Sequence, residues 1–158
     1  MGYELVFRAA SAAEFRARVA ADPVVAAFRD AGGGEPTPEV ADTVARTALA
    51  MGEEAGRTGH TSAGGDRFRE ELFDGVLAGL LGADVADHLL SRNLEGIVWT
   101  DYPMVGFVLA DELAEALAKA GDERPGDLDE DDAEVVDAVL TALRKVAGTG
   151  QDVITVYA

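Results

Sequence analysis

The sequence contains no cysteine, only two histidines and, at positions 119 and 145, only two lysines. Without cysteine the chain cannot form disulfides, thiolate zinc sites, iron–sulfur clusters or a cysteine nucleophile. The histidines, His60 and His88, are too far apart for the HExxH pair of zinc proteases. The sequence therefore predicts no metal site, and it gives no indication of a cofactor.

Long apolar runs are also missing. No stretch approaches the roughly 20 apolar residues that a membrane-spanning helix requires. Residues Met1 to Arg8 lack the basic and apolar regions of a signal peptide. We therefore expect a soluble, cytoplasmic protein that does not bind membranes.

Charge of one sign dominates the 158-residue chain, which has 30 Asp and Glu against 13 Lys and Arg and a formal net charge of −17. This balance is the opposite of that of a nucleic-acid-binding protein, so we expect no direct nucleic-acid binding. Three interpretations stay open: a self-repelling surface that prevents aggregation, growth at high salt, or a negative face that binds a basic partner. The abundance of alanine, glycine and arginine also fits a GC-rich genome.

Both ends of the chain predict β-strands. Residues 3–8 and 152–157 are rich in aromatic and β-branched residues. A lone strand would expose unpaired backbone groups, so the simplest arrangement pairs these two strands in one small sheet. Residues 96–100 and 105–109 predict two further short extended segments.

The middle of the chain is mostly helical, because apolar residues recur there every three or four positions. Residues 52–65 contain five glycines and are predicted to form the longest loop, a mobile one. Residues 121–128 predict an acidic linker. The chain is therefore expected to form a single α+β domain over residues 1–158. Helices are predicted over 12–21, 23–31, 38–51, 66–81, 84–90, 111–120 and 129–147, with Ser11, Thr37, Asp66, Asp84 and Asp129 as capping residues.

Several catalytic and binding motifs are excluded by their spacing. Asp127, Asp129 and Asp131 match the first three ligands of a calcium loop, but the sixth position is Asp132 instead of glycine and the twelfth is Ala138 instead of glutamate. Acidic residues in this segment fit the first turn of a helix better, because the helix dipole favours them there. No phosphate-binding loop, dinucleotide-binding GxGxxG or GxSxG nucleophile motif occurs.

The least ordinary segment is Trp99–Pro103, which holds the only tryptophan beside Asp101 and Tyr102. Aromatic side chains beside a carboxylate are typical of a ligand pocket or an interface. They can equally anchor a loop to the core through the indole N–H and the phenol O–H. His60, in the predicted glycine-rich loop, is a further candidate for such a pocket.

Three segments resemble the YfbM-like family of small bacterial proteins of unknown function. They are the opening Met1-Gly2-Tyr3 strand with its following helix, the Asp101-Tyr102-Pro103 turn before a helix, and the last helix followed by Thr149–Tyr157. The resemblance covers the two ends and residues 97–118, and residues 32–65 match poorly. It implies a single α+β domain and brings no reaction, cofactor or catalytic residue.

The sequence predicts a non-enzymatic interaction module, an inhibitor or immunity-type partner of a basic protein. Its interaction face would be an acidic segment comprising Asp127, Asp129, Glu130, Asp131, Asp132 and Glu134. The alternative is a small-molecule-binding domain or an enzyme with a pocket near Trp99, Asp101 and Tyr102, lidded by the loop around His60. A third interpretation is a homo-oligomer, formed because the apolar helix over 66–81 needs a second copy to cover it.

Overall fold

The computed structural model describes residues 2–122 and 125–158. The linker expected over 121–128 includes residues 123 and 124, which lie outside the described residues. The prediction of an α+β fold, mostly helical with a small sheet, is confirmed. Its elements are β1 (Gly2–Ala10), α1 (Ala12–Ala21), α2 (Pro23–Asp30), α3 (Pro38–Leu49), β2 (Glu53–Thr61), a π-helical segment (Arg67–Leu77), α4 (Ala78–Leu81), α5 (Ala83–Leu90), β3 (Met104–Val108), α6 (Ala110–Ala120), α7 (Glu130–Thr149) and β4 (Asp152–Tyr157).

The four strands form one antiparallel sheet in the order β2-β1-β4-β3. The first and last strands are thus the two inner strands, and their predicted pairing is confirmed. Leu5 lies opposite Tyr157, and Ala10 lies opposite Asp152. The expected extended segment at 105–109 is β3, whereas residues 96–100 form only isolated bridges through Ile97.

Helices cover both faces of the sheet, because successive side chains of a strand point to opposite sides. Val156 faces the side of α3, where it lies in one groove with Leu49. Gly56 faces the other side, where it lies beneath Ala142 of α7. The core between these layers includes the fully buried side chains of Phe7, Phe15, Leu77, Leu143 and Ile154.

Side-chain caps fix several helix starts as predicted. The Ser11 hydroxyl accepts a hydrogen bond from the Glu14 N–H at 3.1 Å, and the Thr37 hydroxyl accepts one from the Val40 N–H at 3.3 Å. Asp66 was predicted to cap the next helix but accepts from Arg69 instead. α5 begins after Gly82, so the predicted cap residue Asp84 lies in its first turn.

Asp152 joins two helix starts at the beginning of β4. Its two carboxylate oxygens accept hydrogen bonds from the Ala12 N–H of α1 at 2.8 Å and from the Ala110 N–H of α6 at 2.7 Å. The first N–H groups of a helix have no partner within the helix. One carboxylate therefore caps two helices that are remote in sequence.

The expectation of a mobile loop over 52–65 is wrong, because most of this stretch is strand β2. β2 contains two glycines where its neighbours leave no room for a side chain. A Cβ at position 56 would lie 3.0 Å from the Ala142 Cβ, and one at position 59 would lie 2.2 Å from the Tyr3 carbonyl oxygen. Close packing, and not flexibility, explains these glycines.

The helix predicted over 66–81 carries the expected apolar stripe, with Phe68, Leu72, Phe73 and Leu77 buried. Arg67–Leu77 have π-helical hydrogen bonding, and Ala78–Leu81 are α-helical. The buried stripe is covered within the domain itself, so it does not require a second copy. Over the described ranges, no helix is long and apolar enough to cross a membrane.

Candidate functional site

An aromatic cluster, consisting of Tyr3, His60, Phe68, Tyr102 and Tyr157, lies at one end of the sheet. Tyr3 stacks on Tyr102 with ring centroids 4.3 Å apart and on His60 at 5.4 Å. Phe68 of the π-helical segment packs 4.7 Å from His60 and 5.6 Å from Tyr157. The fold thus brings together His60 and Tyr102, two of the four residues predicted for a pocket.

A chain of hydrogen bonds runs through this cluster in one direction. The Tyr102 hydroxyl donates to the Tyr157 hydroxyl at 3.2 Å. His60 Nδ1 lies 2.6 Å from the Thr61 carbonyl oxygen, which can only accept, so Nδ1 carries a hydrogen. In the neutral ring Nε2 is then an acceptor, and the Tyr157 hydroxyl donates to it at 2.5 Å. The positions of the His60 and Tyr157 hydrogens are thus assigned from their hydrogen-bond partners.

Tyr157 is the centre of the cluster and is completely buried. Burial raises the pKa of Tyr157 far above its usual value, and the hydrogen bond from Tyr102 adds to this effect. Tyr157 is therefore a neutral phenol that accepts from one side chain and donates to another. The chain of hydrogen bonds therefore runs from Tyr102 through Tyr157 to His60.

Trp99 and Asp101, the other two predicted pocket residues, have local structural contacts. Trp99 is 8% exposed and its indole N–H donates to the Arg92 carbonyl oxygen at 3.0 Å. Asp101 is exposed, and its carboxylate accepts from the Tyr102 N–H at 2.8 Å. Trp99 thus anchors the segment before β3, and Asp101 shapes the turn that precedes the cis Tyr102–Pro103 bond.

The acidic segment, residues 127–134, lies at the start of α7. Asp129 caps the helix by accepting from the Asp132 N–H at 2.8 Å, and this bond together with the Arg67 guanidinium lowers the pKa of Asp129. Arg67 also contacts Asp132 at 2.5 Å and Glu71 at 3.7 Å. Arg67 comes directly before Phe68, so the acidic segment is held beside the aromatic cluster.

The remaining carboxylates of the acidic segment have a different environment. Asp127, Glu130, Asp131 and Glu134 are exposed. None of the four forms an ion pair with a described residue. The start of α7 and the residues just before it therefore present four negative charges that no described cation pairs with, next to the turn that Arg67 holds.

A second polar group joins α5 to α6. Arg92 Nη1 donates to Glu112 at 2.9 Å, and its guanidinium lies 4.5 Å from the centre of the Phe107 ring. Burial raises the pKa of Glu112, but the hydrogen bonds from Arg92 and the Leu109 N–H outweigh it and lower that pKa below its usual value. His88 Nδ1 is 4.0 Å from Glu112. These contacts fix the start of α6 and the segment before β3.

The sequence interpretation missed Tyr3 and Tyr157 as members of the site. Both belong to predicted strands, and only the strand register places them beside His60 and Tyr102. All three tyrosines of the chain lie in this cluster. In the described ranges, no group of three or more His, Cys, Asp or Glu has the arrangement that holds a metal ion.

Comparisons with known proteins give no relative, because no protein-family model, curated protein or solved structure matches the chain. The resemblance to the YfbM-like family stays a prediction.

Proposed function

We propose that the protein is a non-enzymatic interaction module that binds a basic protein through the acidic segment. The observation that supports this proposal is the set of four exposed carboxylates, Asp127, Glu130, Asp131 and Glu134, without an ion pair among the described residues. Exposed charges of one sign steer a partner of opposite charge and set which face it meets. The net charge of −17 attracts such a basic partner over a longer range.

The anchoring of α7 supports the proposal further. Arg67 forms ion pairs with Asp129 and Asp132 and holds the first turn of the helix in place. The backbone that carries Glu130, Asp131 and Glu134 is therefore ordered in α7, and a partner does not have to order it on binding. Such preorganisation lowers the entropic cost of binding.

Charge reversal tests this proposal. A variant with lysine at positions 127, 130, 131 and 134 is compared with one with lysine at four exposed acidic positions elsewhere, Asp42, Asp87, Asp111 and Glu115. Affinity capture at low salt, quantified by mass spectrometry, should recover a basic protein with the wild type and the control variant. The acidic-segment variant should recover at most one-tenth as much of this basic protein as the wild type does. Equal recovery with both variants would contradict the proposal.

A second candidate function is the binding of a small molecule beside Tyr102. An open groove of about 680 Å³ lies between α3 and the sheet, and Leu49, Tyr102, Pro103 and Val156 contribute to its lining. Leu49 is 41% exposed there and offers apolar surface to a ligand. Tyr102 also belongs to the hydrogen-bond chain, so this groove borders the aromatic cluster.

A fragment screen by saturation-transfer NMR distinguishes the second function from the first. Fragments that bind the groove should lose their signal with a Leu49→Asp variant and keep it with Asp111→Lys, which lies on α6. A screen in which no fragment signal depends on Leu49 would remove this groove from consideration.

A further inference from the structure

β2 is an edge strand with an open side. It pairs with β1 and with no other strand in the part of the chain that is described. No backbone hydrogen bond joins Glu53–Thr61 to any described segment besides β1. A strand of nine residues in this position presents backbone N–H and C=O groups that another extended chain can bind.

The register identifies the groups that point outward. The N–H and C=O groups of Glu4 both bond to Ala158, at 2.7 and 2.9 Å. Glu4 thus directs its backbone groups toward β4, and its neighbour Leu5 directs them toward β2, because the direction alternates along a strand. Leu5 lies opposite Thr58. The backbone groups of Thr58 therefore point toward β1.

By the same alternation, Arg57, Gly59 and Thr61 direct their N–H and C=O groups away from β1. The Thr61 carbonyl is already used by His60 Nδ1. The pairing irregularity of β2 lies opposite Phe7 and Arg8, before this stretch. Residues 57–61 are therefore a regular, accessible edge long enough for a short strand.

α7 lies over β2, and contacts at two places define the direction of the helix relative to the strand. Gly56 lies beneath Ala142 near the middle of the helix. Arg67 comes six residues after Thr61 and contacts Asp132, ten residues before Ala142, at 2.5 Å. The chain that continues β2 thus meets the start of the helix, so α7 runs antiparallel to the strand.

This direction brings the acidic segment to the open half of β2. From Gly56 to Thr61 the strand advances about 16 Å, at roughly 3.3 Å per residue. A helix covers that distance in about eleven residues, which leads from Ala142 back to Asp131. Asp131 lies eleven residues, about three full turns, before Ala142 and so on nearly the same side of α7, and Glu134, three residues after Asp131, is its neighbour on the adjoining outward side. Both acidic side chains are exposed.

We propose that a basic, extended segment of the partner protein adds to the sheet as a fifth strand beside Arg57–Thr61, with its basic side chains against Asp131 and Glu134. This inference rests on the proposed function, which supplies the basic partner, and it adds how that partner is held. Backbone hydrogen bonds provide affinity in such a complex, and the charge pairs select the partner and its orientation. A second copy of the chain does not suit the edge, because each copy carries a net charge of −17.

The first test uses a defined probe, an acetylated and amidated eight-residue peptide of alternating lysine and valine. NMR hydrogen exchange is measured on the protein with and without saturating peptide. The amides of Arg57, Gly59 and Thr61 should exchange at least tenfold more slowly with peptide, because they gain partners. Those of Thr58 and His60 should not change, because they already face β1. Failure of the peptide to bind at low salt, or protection without this alternation, would overturn the inference.

A methylated probe separates backbone pairing from charge. Two such peptides, one N-methylated on every valine and one on every lysine, keep the four positive charges, and each has lost one row of backbone donors. The peptide methylated on the row that faces β2 should bind at least tenfold more weakly than the parent peptide. Equal binding of all three peptides would overturn strand addition while leaving charge-driven binding intact.

Variants of the protein give the matched comparison. Arg57→Pro removes an outward N–H, and Arg57→Thr removes the same side chain but keeps that N–H. Peptide affinity should fall at least fivefold with proline relative to threonine, with circular dichroism and thermal unfolding used to check that both variants are folded. If Arg57→Pro does not fold, the methylated peptides still decide the question.

Charge reversal on the flank of α7 separates this inference from the proposed function. Asp131→Lys with Glu134→Lys should weaken peptide binding at least tenfold, and Asp111→Lys with Glu115→Lys on α6 should weaken it far less. Loss of the partner in the capture experiment without any effect of the edge variants would overturn only strand addition. Edge effects without any dependence on the acidic segment would overturn the proposed function instead.

Discussion

β2 and β3 are both edge strands, but one is open and the other is closed. All five residues of β3 are buried, and the Val105 carbonyl accepts a hydrogen bond from the Arg92 N–H at 3.0 Å. β2 has no buried residue, and its outward backbone groups have no backbone partner in the described chain. The comparison shows that the sheet is protected on one side by packing and left accessible on the other.

Gly106 of β3 and Gly56 of β2 show how closely a helix packs on each of these strands. A Cβ at Gly106 of β3 would lie 2.2 Å from the His88 carbonyl oxygen and 2.7 Å from the Thr155 hydroxyl. Gly56 of β2 meets only the Ala142 side chain, at 3.0 Å. α5 thus packs directly on one face of β3, and Arg92, just after α5, closes the edge of β3 by bonding to the Val105 and Phe107 carbonyls. α7 covers one face of β2 and leaves its edge open.

The largest loss of stability is expected from adding a side chain at Gly106, the tightly packed glycine of β3. Gly106→Ala should lower the free energy of unfolding by about 3 kcal/mol, because the methyl group overlaps backbone that cannot move independently. Urea unfolding measures this change. Gly148→Ala on α7, where no atom lies within 4 Å of the added methyl, should leave stability unchanged or slightly higher. Similar losses in both variants would contradict the closed packing of β3.

A smaller loss of stability is expected from removing the carboxylate of Asp152, which caps both α1 and α6. Asp152→Ala removes the acceptor for the Ala12 and Ala110 N–H groups and should cost about 2 kcal/mol in urea unfolding. Asp152→Asn retains one carbonyl acceptor and should lose about half as much. Asp111→Ala, in the first turn of α6 but exposed, serves as the control. Equal losses for Asp152→Ala and Asp111→Ala would argue against the double cap.

The smallest effect is expected where the inner strand β4 contacts β2 through Tyr157 and His60. The pKa of Tyr157 is raised in the folded state, so the unfolded chain loses this proton first, near pH 10. Its contribution to stability is full below that pH and declines as the pH rises above it. Urea unfolding between pH 8 and 11 should show a shallower decline for Tyr157→Phe than for the wild type. Identical slopes would show that Tyr157 ionises equally in both states.

The inner strands were predictable because their residue types reflect burial on both faces of the sheet. Val6 and Phe7 in β1 and Ile154 and Val156 in β4 are typical of strands packed between two layers. The cap at Asp129 was predictable for a similar reason, since a single short-range hydrogen bond defines it. Local chemistry was sufficient in these places.

β2 was not predictable, because the reasons for its glycines lie elsewhere in the chain. Gly56 is required by Ala142 and Gly59 by the Tyr3 carbonyl, and both contacts exist only after folding. The aromatic cluster has the same origin. His60 and Tyr102 attracted attention as single residues, but Tyr157 joins them only through the register of three strands.

The position of β4 has a consequence for how the protein is made. β4 lies between β1 and β3, so β3 has no strand to pair with until residues 152–157 have been synthesised. The bond from Ala12 to Asp152 likewise spans 140 positions of the chain. Such long-range pairing slows folding. A nascent chain that already contains the first six helices therefore still lacks the strand that β1 and β3 share, and the apolar residues of β3 have no partner strand until synthesis is complete to residue 157.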